Sequence, residues 1–235
     1  MKTFVHRICV YLSFSLMFVV LLSAISVAGD WREINVSSFN EIYLEGPFHI
    51  VLEQGNSSGL QVDTYDENFD KLDIAVTGNR LSIRLDGNYK RKSDAINLRI
   101  VVNELEHLAI VGAVKLETHG VLMVRNLKVT FDGAGKVNLN LDANKLITEI
   151  AGVGSFDIQG NTDYHKVTFS GIGSYDAMNL ISNYTYVVSD GIGSVKVHAA
   201  EKFKGYATGI GSVDYYGNPQ DVVVEASGIG KVRRH

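Results

Sequence analysis

The amino-acid sequence predicts an all-β protein, a parallel β-helix-like solenoid of about 19-residue coils turned at Gly-x-Gly corners. Three observations carry this expectation. A seven-residue Gly-x-Gly motif recurs along the second half of the chain. Apolar and polar residues alternate with period two on both sides of each copy, as in strands with one buried face. No sustained helical periodicity follows the apolar N-terminal run.

Residues 1–28 read as a secretory signal peptide. Lys2, His6 and Arg7 form a short basic region, an apolar run extends from Ile8 to about Val27, and Ser26-Val27-Ala28 places small residues where a signal peptidase cuts. The alternative is a retained anchor, since the run approaches the ~20 residues that span a bilayer. Cys9, the single cysteine, lies at the start of the run, which argues against lipid attachment at its end. Cleavage after Ala28 removes Lys2, Arg7 and Cys9. It leaves 20 basic against 26 acidic residues, a net charge of −6. That excludes disulfides, a thiol nucleophile and Cys-ligated zinc, and argues against nucleic acid, which calls for a basic stripe. No transmembrane segment remains after cleavage. The expected location is the periplasm, the outer-membrane surface or the cell exterior.

Residues 29–110 are expected to form irregular β coils or a cap, continuous with the solenoid as one domain. Phe48, Ile50 and Leu52 alternate with His49, Val51 and Glu53. Leu81, Ile83 and Leu85 alternate with Ser82, Arg84 and Asp86. Ile96, Leu98 and Ile100 alternate with Asn97 and Arg99. Gly55-Asn56-Ser57-Ser58-Gly59, Gly78-Asn79 and Asp86-Gly87-Asn88 supply turn signals between them. One segment is open to a short helix, near Glu67 to Leu72. No Gly motif is evident in this part.

Residues 111–235 carry the regular coils. The motif reads GAVKLET at 112–118, GAGKVNL at 133–139, GVGSFDI at 152–158, GIGSYDA at 171–177, GIGSVKV at 191–197, GIGSVDY at 209–215 and GIGKVRR at 228–234. Successive starts are separated by 21, 19, 19, 20, 18 and 19 residues. One such unit cannot bury its apolar face alone, but stacked units can, and seven of them at the strand spacing make a column of roughly 30 Å. Stacking predicts a serine ladder (Ser155, Ser174, Ser194, Ser212). It also predicts a charge column, Asn138, Asp157, Asp176, Lys196, Asp214 and Arg233. The residue between the glycines (Ala134, Val153, Ile172, Ile192, Ile210, Ile229) is expected to stay inside while the chain bends.

The repeated Gly-Ile-Gly-Ser corners, the stretch EIYLEGPFHIVLEQGNSSGLQVDTYDENF at 41–69 and the following KLDIAVTGNRLSIRL at 71–85 resemble the putative autotransporter adhesin head (GIN) domain family. The resemblance spans about residues 39–217. It implies a bacterial, exported protein with a right-handed β-helix, and it brings no catalytic or binding residues with it. The sequence ends at His235 within a repeat, without the strand pattern of a membrane barrel.

The sequence points to no cofactor and no enzyme. Dinucleotide binding needs a third glycine and a following helix, and here a strand follows. Asp157 and Asp176 are candidates for holding one cation through oxygen ligands. With Asp214 they are also the carboxylates a β-helix carbohydrate-active enzyme would use, but no His or Arg motif accompanies them. Tyr175, Tyr184, Tyr186, Tyr206, Tyr215 and Tyr216 concentrate in the last coils, where aromatic rings on an exposed face stack on sugars or anchor a protein. The expected function is a non-catalytic, adhesin-like or cell-envelope binding module. Its partner would be a glycan, an envelope polymer or a protein. The alternatives are a carbohydrate-active enzyme and a structural assembly module, the latter including a homo-oligomer.

Overall fold

The computed structural model describes residues 31–86 and 96–235. The signal-peptide reading, Cys9 and the Gly87-Asn88 half of one expected turn lie outside the described residues. Among the described residues strand takes 73% and helix 2%, arranged as about six stacked parallel coils, so the predicted class holds. Among the described residues no helix is long and apolar enough to cross a membrane.

The first part contains β1 (Arg32–Ile34), β2 (Glu41–Glu45), β3 (Phe48–Gln54), β4 (Gly59–Asp63), α1 (Asp66–Phe69), β5 (Leu72–Thr77), β6 (Arg80–Leu85) and β7 (Ile96–Val102). The expected helix is a single turn. The three alternating segments are β3, β6 and β7, with Phe48, Ile50, Leu52, Leu81, Ile83, Ile96, Leu98 and Ile100 all buried. Here parallel and antiparallel pairing mix: β4 runs antiparallel to β1 and β7, and β5 antiparallel to β6.

The coils follow in β8 (His107–His119), β9 (Leu122–Ile150), β10 (Val153–Phe169), β11 (Ile172–Ala177), β12 (Leu180–Ser189), β13 (Ile192–His198), β14 (Lys202–Ala207), β15 (Ile210–Tyr216), β16 (Asp221–Ala226) and β17 (Lys231–Arg234). Corners stack on corners: β8, β9, β10, β11, β13, β15 and β17 form one parallel series. The strands leading into the corners form a second, running from β10 through β12 and β14 to β16. Equivalent residues meet, Gly on Gly and Ser on Ser, as the repeat requires.

The column starts earlier than the Gly motif suggested. β2 and β3 pair in parallel with β8, Glu45 beside Val111 and Phe48 beside Val114, so Gly46 and Pro47 occupy the corner below Gly112 and Ala113. Gly46 has φ +147°, and Gly112 beside it and the second corner glycines Gly135, Gly173, Gly193 and Gly211 share a positive φ. Sequence reading missed it because proline stands between the glycine and a phenylalanine, which hides the pattern.

The corner glycines are set by close approach. A Cβ on Gly171 would lie 2.1 Å from the carbonyl oxygen of Gly152 one coil below, and a Cβ on Gly193 1.8 Å from that of Gly173. Gly193 also has φ +139°, which side chains avoid. The residue between the glycines is where the sequence expectation fails. Ile172 and Ile210 are each 50% exposed, and Val153, Ile192 and Ile229 are exposed too. Two-residue alternation continues unbroken through the corner, as Phe131, Gly133, Gly135 and Val137 show. The glycines take the inward positions, and the apolar residue between them points out.

Candidate functional site

Each coil has three outward surfaces: the strand before the corner, the strand after it, and the turn back. The sequence-predicted residues divide among them.

On the strand after the corner, the charge column forms in register. Asp157 lies beside Asp176, Asp176 beside Lys196, Lys196 beside Asp214, and Asp214 beside Arg233. Asp176 accepts a hydrogen bond from Lys196 Nζ at 3.2 Å and one from the backbone N–H of Met178. The Lys196 ammonium is therefore held above its ordinary pKa, first by that hydrogen bond and then by the charge of Asp176. Asp214 is nearly buried. Burial pushes its carboxyl up, but hydrogen bonds from Ser212, Arg233 and His235 outweigh it, and the net shift is downward. Asp157 and Asp176 therefore adjoin, while Lys196 stands between Asp176 and Asp214. Among the described residues, no group of three His, Cys, Asp or Glu side chains is placed to hold a metal ion. Ser174 donates to Ser155 Oγ at 3.3 Å, one rung of the serine ladder, while Ser212 turns to Asp214.

Of the six tyrosines, two are core residues. Tyr175 is fully buried, and Tyr215 is buried with its ring stacked on Phe203 at 4.2 Å. Neither can offer a ring to a ligand. The Tyr175 hydroxyl bridges Thr148 and His165, at 3.2 and 2.8 Å. Burial raises the Tyr175 pKa and lowers that of His165 to about 3, so His165 is neutral. Its Nδ1 is buried without a partner among the described residues. Tyr216 is half-buried and stacks on His235 at 5.0 Å.

The other three, Tyr184, Tyr186 and Tyr206, share the outward face of the strands before the corner, with Tyr164. Tyr164 lies beside Tyr184 in register, with Lys145 and Lys202 on either side. In the neighbouring column Tyr186 lies between Lys166 and Lys204. Two residues further along, Tyr206 continues the patch, its ring 5.7 Å from that of Tyr186. Lys145 Nζ sits 5.5 Å from the Tyr164 ring centre, and Lys166 Nζ 5.8 Å from that of Tyr186, within cation–π range. Lys202 pairs with Asp221. Among the described residues, Lys145, Lys166 and Lys204 have no carboxylate within ion-pair distance. Lys145, Lys166 and Lys204 thus put unpaired positive charge beside the tyrosines, on a face that also carries Glu149, Asp221 and Glu225 further along. Tyr184 is 44% exposed, and its phenol pKa is raised by a hydrogen bond to Glu201 and that residue's charge.

Sequence reading did not find the adjacent groove on the turn side. It encloses about 530 Å³ and is lined by carboxamides and carboxylates, including Asp142, Asn144, Asn161, Asp163 and Asn183. Asn161 donates to Asp142 at 2.8 Å and Asn183 to Asp163 at 3.0 Å, each bridging one coil to the next. The exposed side chains of Met123 and Ile181 give it apolar walls. A second hollow of about 540 Å³ shares Glu104 and Arg125 with it and reaches Lys145, at the edge of the tyrosine face. The signal was available: Asp142 and Asn161, and then Asn144, Asp163 and Asn183, recur at the coil period.

The fold recurs in solved structures. A crystal structure of a putative adhesin from Bacteroides fragilis is 25% identical, with a TM-score of 0.80, over 87% of this chain and 96% of that one. A putative lipid binding protein from Parabacteroides distasonis is 20% identical, with a TM-score of 0.67, over 88% and 96%. A putative adhesin from Parabacteroides merdae is 17% identical, with a TM-score of 0.54, over 87% and 95%. No curated protein matches the chain. The family model for the putative auto-transporter adhesin, head GIN domain, matches residues 38–219, and with the stacked coils and Gly corners already in place, the chain belongs to that family.

Proposed function

We propose that this protein is an exported, non-catalytic, adhesin-like module that binds an extended anionic polysaccharide on its tyrosine–lysine face. The observation that carries the reading is the registered columns, Lys145–Tyr164–Tyr184–Lys202 and Lys166–Tyr186–Lys204. Membership of an adhesin-head family supports a binding role and a location outside the cytoplasm. Stacked strands repeat every ~4.8 Å, close to the rise of one pyranose in an extended β-1,4-linked chain. A polymer lying along the column would meet a new side chain at each sugar. Tyrosine faces suit the apolar faces of sugar rings. Lysines on either side of Tyr186 suit carboxylates carried on alternate sugars. The groove beside this face, with its amides and carboxylates, offers hydroxyl partners to a branch or a neighbouring chain.

Titration calorimetry of the purified protein with uronate polymers and with neutral β-1,4-glucan oligomers tests this. Binding of the uronate polymer is expected, weakening with salt and lost on Tyr186→Ala or on joint Lys166→Gln and Lys204→Gln substitution. Failure to bind either polymer, or binding that survives both variants, would overturn the assignment of the face. Equal binding of the neutral oligomers would retain the face and overturn the anionic preference.

A further inference from the structure

The corners carry an apolar ridge that neither the core nor the tyrosine–lysine face uses. Val153, Ile172, Ile192 and Ile210 lie beside one another in register, and each is between 47% and 52% exposed. Ala134 continues the line one coil below. An outward place beside water has no need of a valine or isoleucine in four successive coils. A contiguous exposed apolar patch of this kind marks an interaction surface.

The serine ladder runs next to the ridge, along the strand after the corner. Ser174, Ser194 and Ser212 are half-buried there. Beyond them rises the column Asp157, Asp176, Lys196 and Asp214. Ridge, small-residue trough and charged wall therefore run side by side up the molecule, one rung every ~4.8 Å. A partner that meets every rung must repeat at the same spacing, and a second copy of this chain does.

We propose that two copies associate side by side, ridge in trough, about a twofold axis parallel to the column. With the axis over the second corner glycines, Ile192 of each copy packs against Ser194 of the other, Ile172 against Ser174 and Ile210 against Ser212. A twofold axis allows no shift along itself, so every coil faces its own counterpart and symmetry sets the register. The next columns out also match. Asp190 is exposed and has no ion-pair partner among the described residues, and it comes opposite Lys196 of the second copy. Ala151, Ser170 and Thr208 hold the place of Asp190 in the other coils, and they come opposite Asp157, Asp176 and Asp214. No like charges meet. An axis across the column instead sets isoleucine on isoleucine and serine on serine, which leaves the trough unfilled. The ridge and trough of both copies together bury roughly 1,000 Å², the low end for a specific interface, so the dimer is weak and reversible. It closes at two copies, because each uses the same surface. The tyrosines and lysines of the binding face lie round the corner and stay free.

Sedimentation velocity on the purified protein, from low micromolar concentration to the solubility limit, tests this. A monomer–dimer equilibrium is expected. Ile192→Asp should leave monomer throughout. Ser194→Arg fills the trough without altering the ridge and should weaken association about tenfold or more. Asp190→Lys sets like charges opposite each other at two places and should weaken it about fivefold. All three side chains point outward, and circular dichroism at low concentration should show each variant folded. A strict monomer at every concentration, a dimer indifferent to Ser194→Arg, or growth beyond two copies would each overturn the proposal.

Discussion

Three glycine-to-alanine substitutions separate the two reasons a corner needs glycine. Gly78, in the β5–β6 turn, has φ +63° and nothing within 4 Å of the place an alanine methyl would take, so alanine there meets only the left-handed backbone cost. That is about 1–2 kcal/mol. Gly171 lies outside the left-handed region, yet its Cβ would sit 2.1 Å from Gly152 O, where real Cβ contacts essentially never fall below 3.0 Å. Two coils would have to part by nearly an ångström. The hydrogen bonds on either side, Ile172 N–H to Gly152 O and Ile192 N–H to Gly171 O, are 3.0 and 2.9 Å long and would stretch. At about 1 kcal/mol each, with added strain, Gly171→Ala should cost about 2–3 kcal/mol. Gly193→Ala combines both penalties and should cost about 3–5 kcal/mol. Urea unfolding followed by circular dichroism gives the order, read from midpoints because stacked arrays can unfold in parts. If Gly171→Ala is no worse than Gly78→Ala, close approach of the coils is not what selects glycine at the corners.

Other perturbations test the core. Tyr175→Phe leaves His165 with neither ring nitrogen satisfied and should cost about 1–3 kcal/mol in thermal or urea melts; a neutral outcome would deny the buried hydrogen bond. His165 has a folded-state pKa of about 3 against an unfolded value near 6.5, so the unfolded chain binds more protons between them. Stability is therefore full above the unfolded value and falls as pH drops through that window, by about 2 kcal/mol at pH 5. His165→Gln should flatten the slope between pH 6.5 and 5, and an unchanged slope would assign the effect elsewhere. At the corner, Ile172→Ser should shift stability by no more than about 0.5 kcal/mol, since its side chain points outward. Val195→Ala, fully buried, should cost about 2 kcal/mol. A reversal of that order would place the corner residue inside after all.

The coil period was legible in residues 112–234 because each coil rests on an equivalent coil. Stacking demands the same residue type at the same place, so geometry prints itself as a repeat. The serine ladder and the Asp176–Lys196 and Asp214–Arg233 pairs follow from that one fact. The first coil was not legible, because Gly46-Pro47-Phe48 fills the corner once with different residues.

The site was only half legible. Tyr175, Tyr184 and Tyr186 are alike as strand residues, and which face each takes depends on alternation counted through corners and turns. Insertion of a single residue inverts that count. Hence Tyr175 went inward to His165 while Tyr186 went outward between two lysines. The same count decided Ile172 and its neighbours: apolar character alone suggested the core, but the inward places at a tight corner hold no side chain larger than hydrogen. The asparagines and aspartates of the groove recur at the coil period, one or two to a turn, and stacking of successive turns brings them together.

The sequence by itself therefore determined the fold class, the coil length, the stacking columns and the family. Those depend on periodicity and on the absence of a side chain where backbones touch. Only the tertiary structure decided which residues face outward and where the groove opens. Those depend on how each corner carries the alternation through, and on contacts between residues a full coil or more apart.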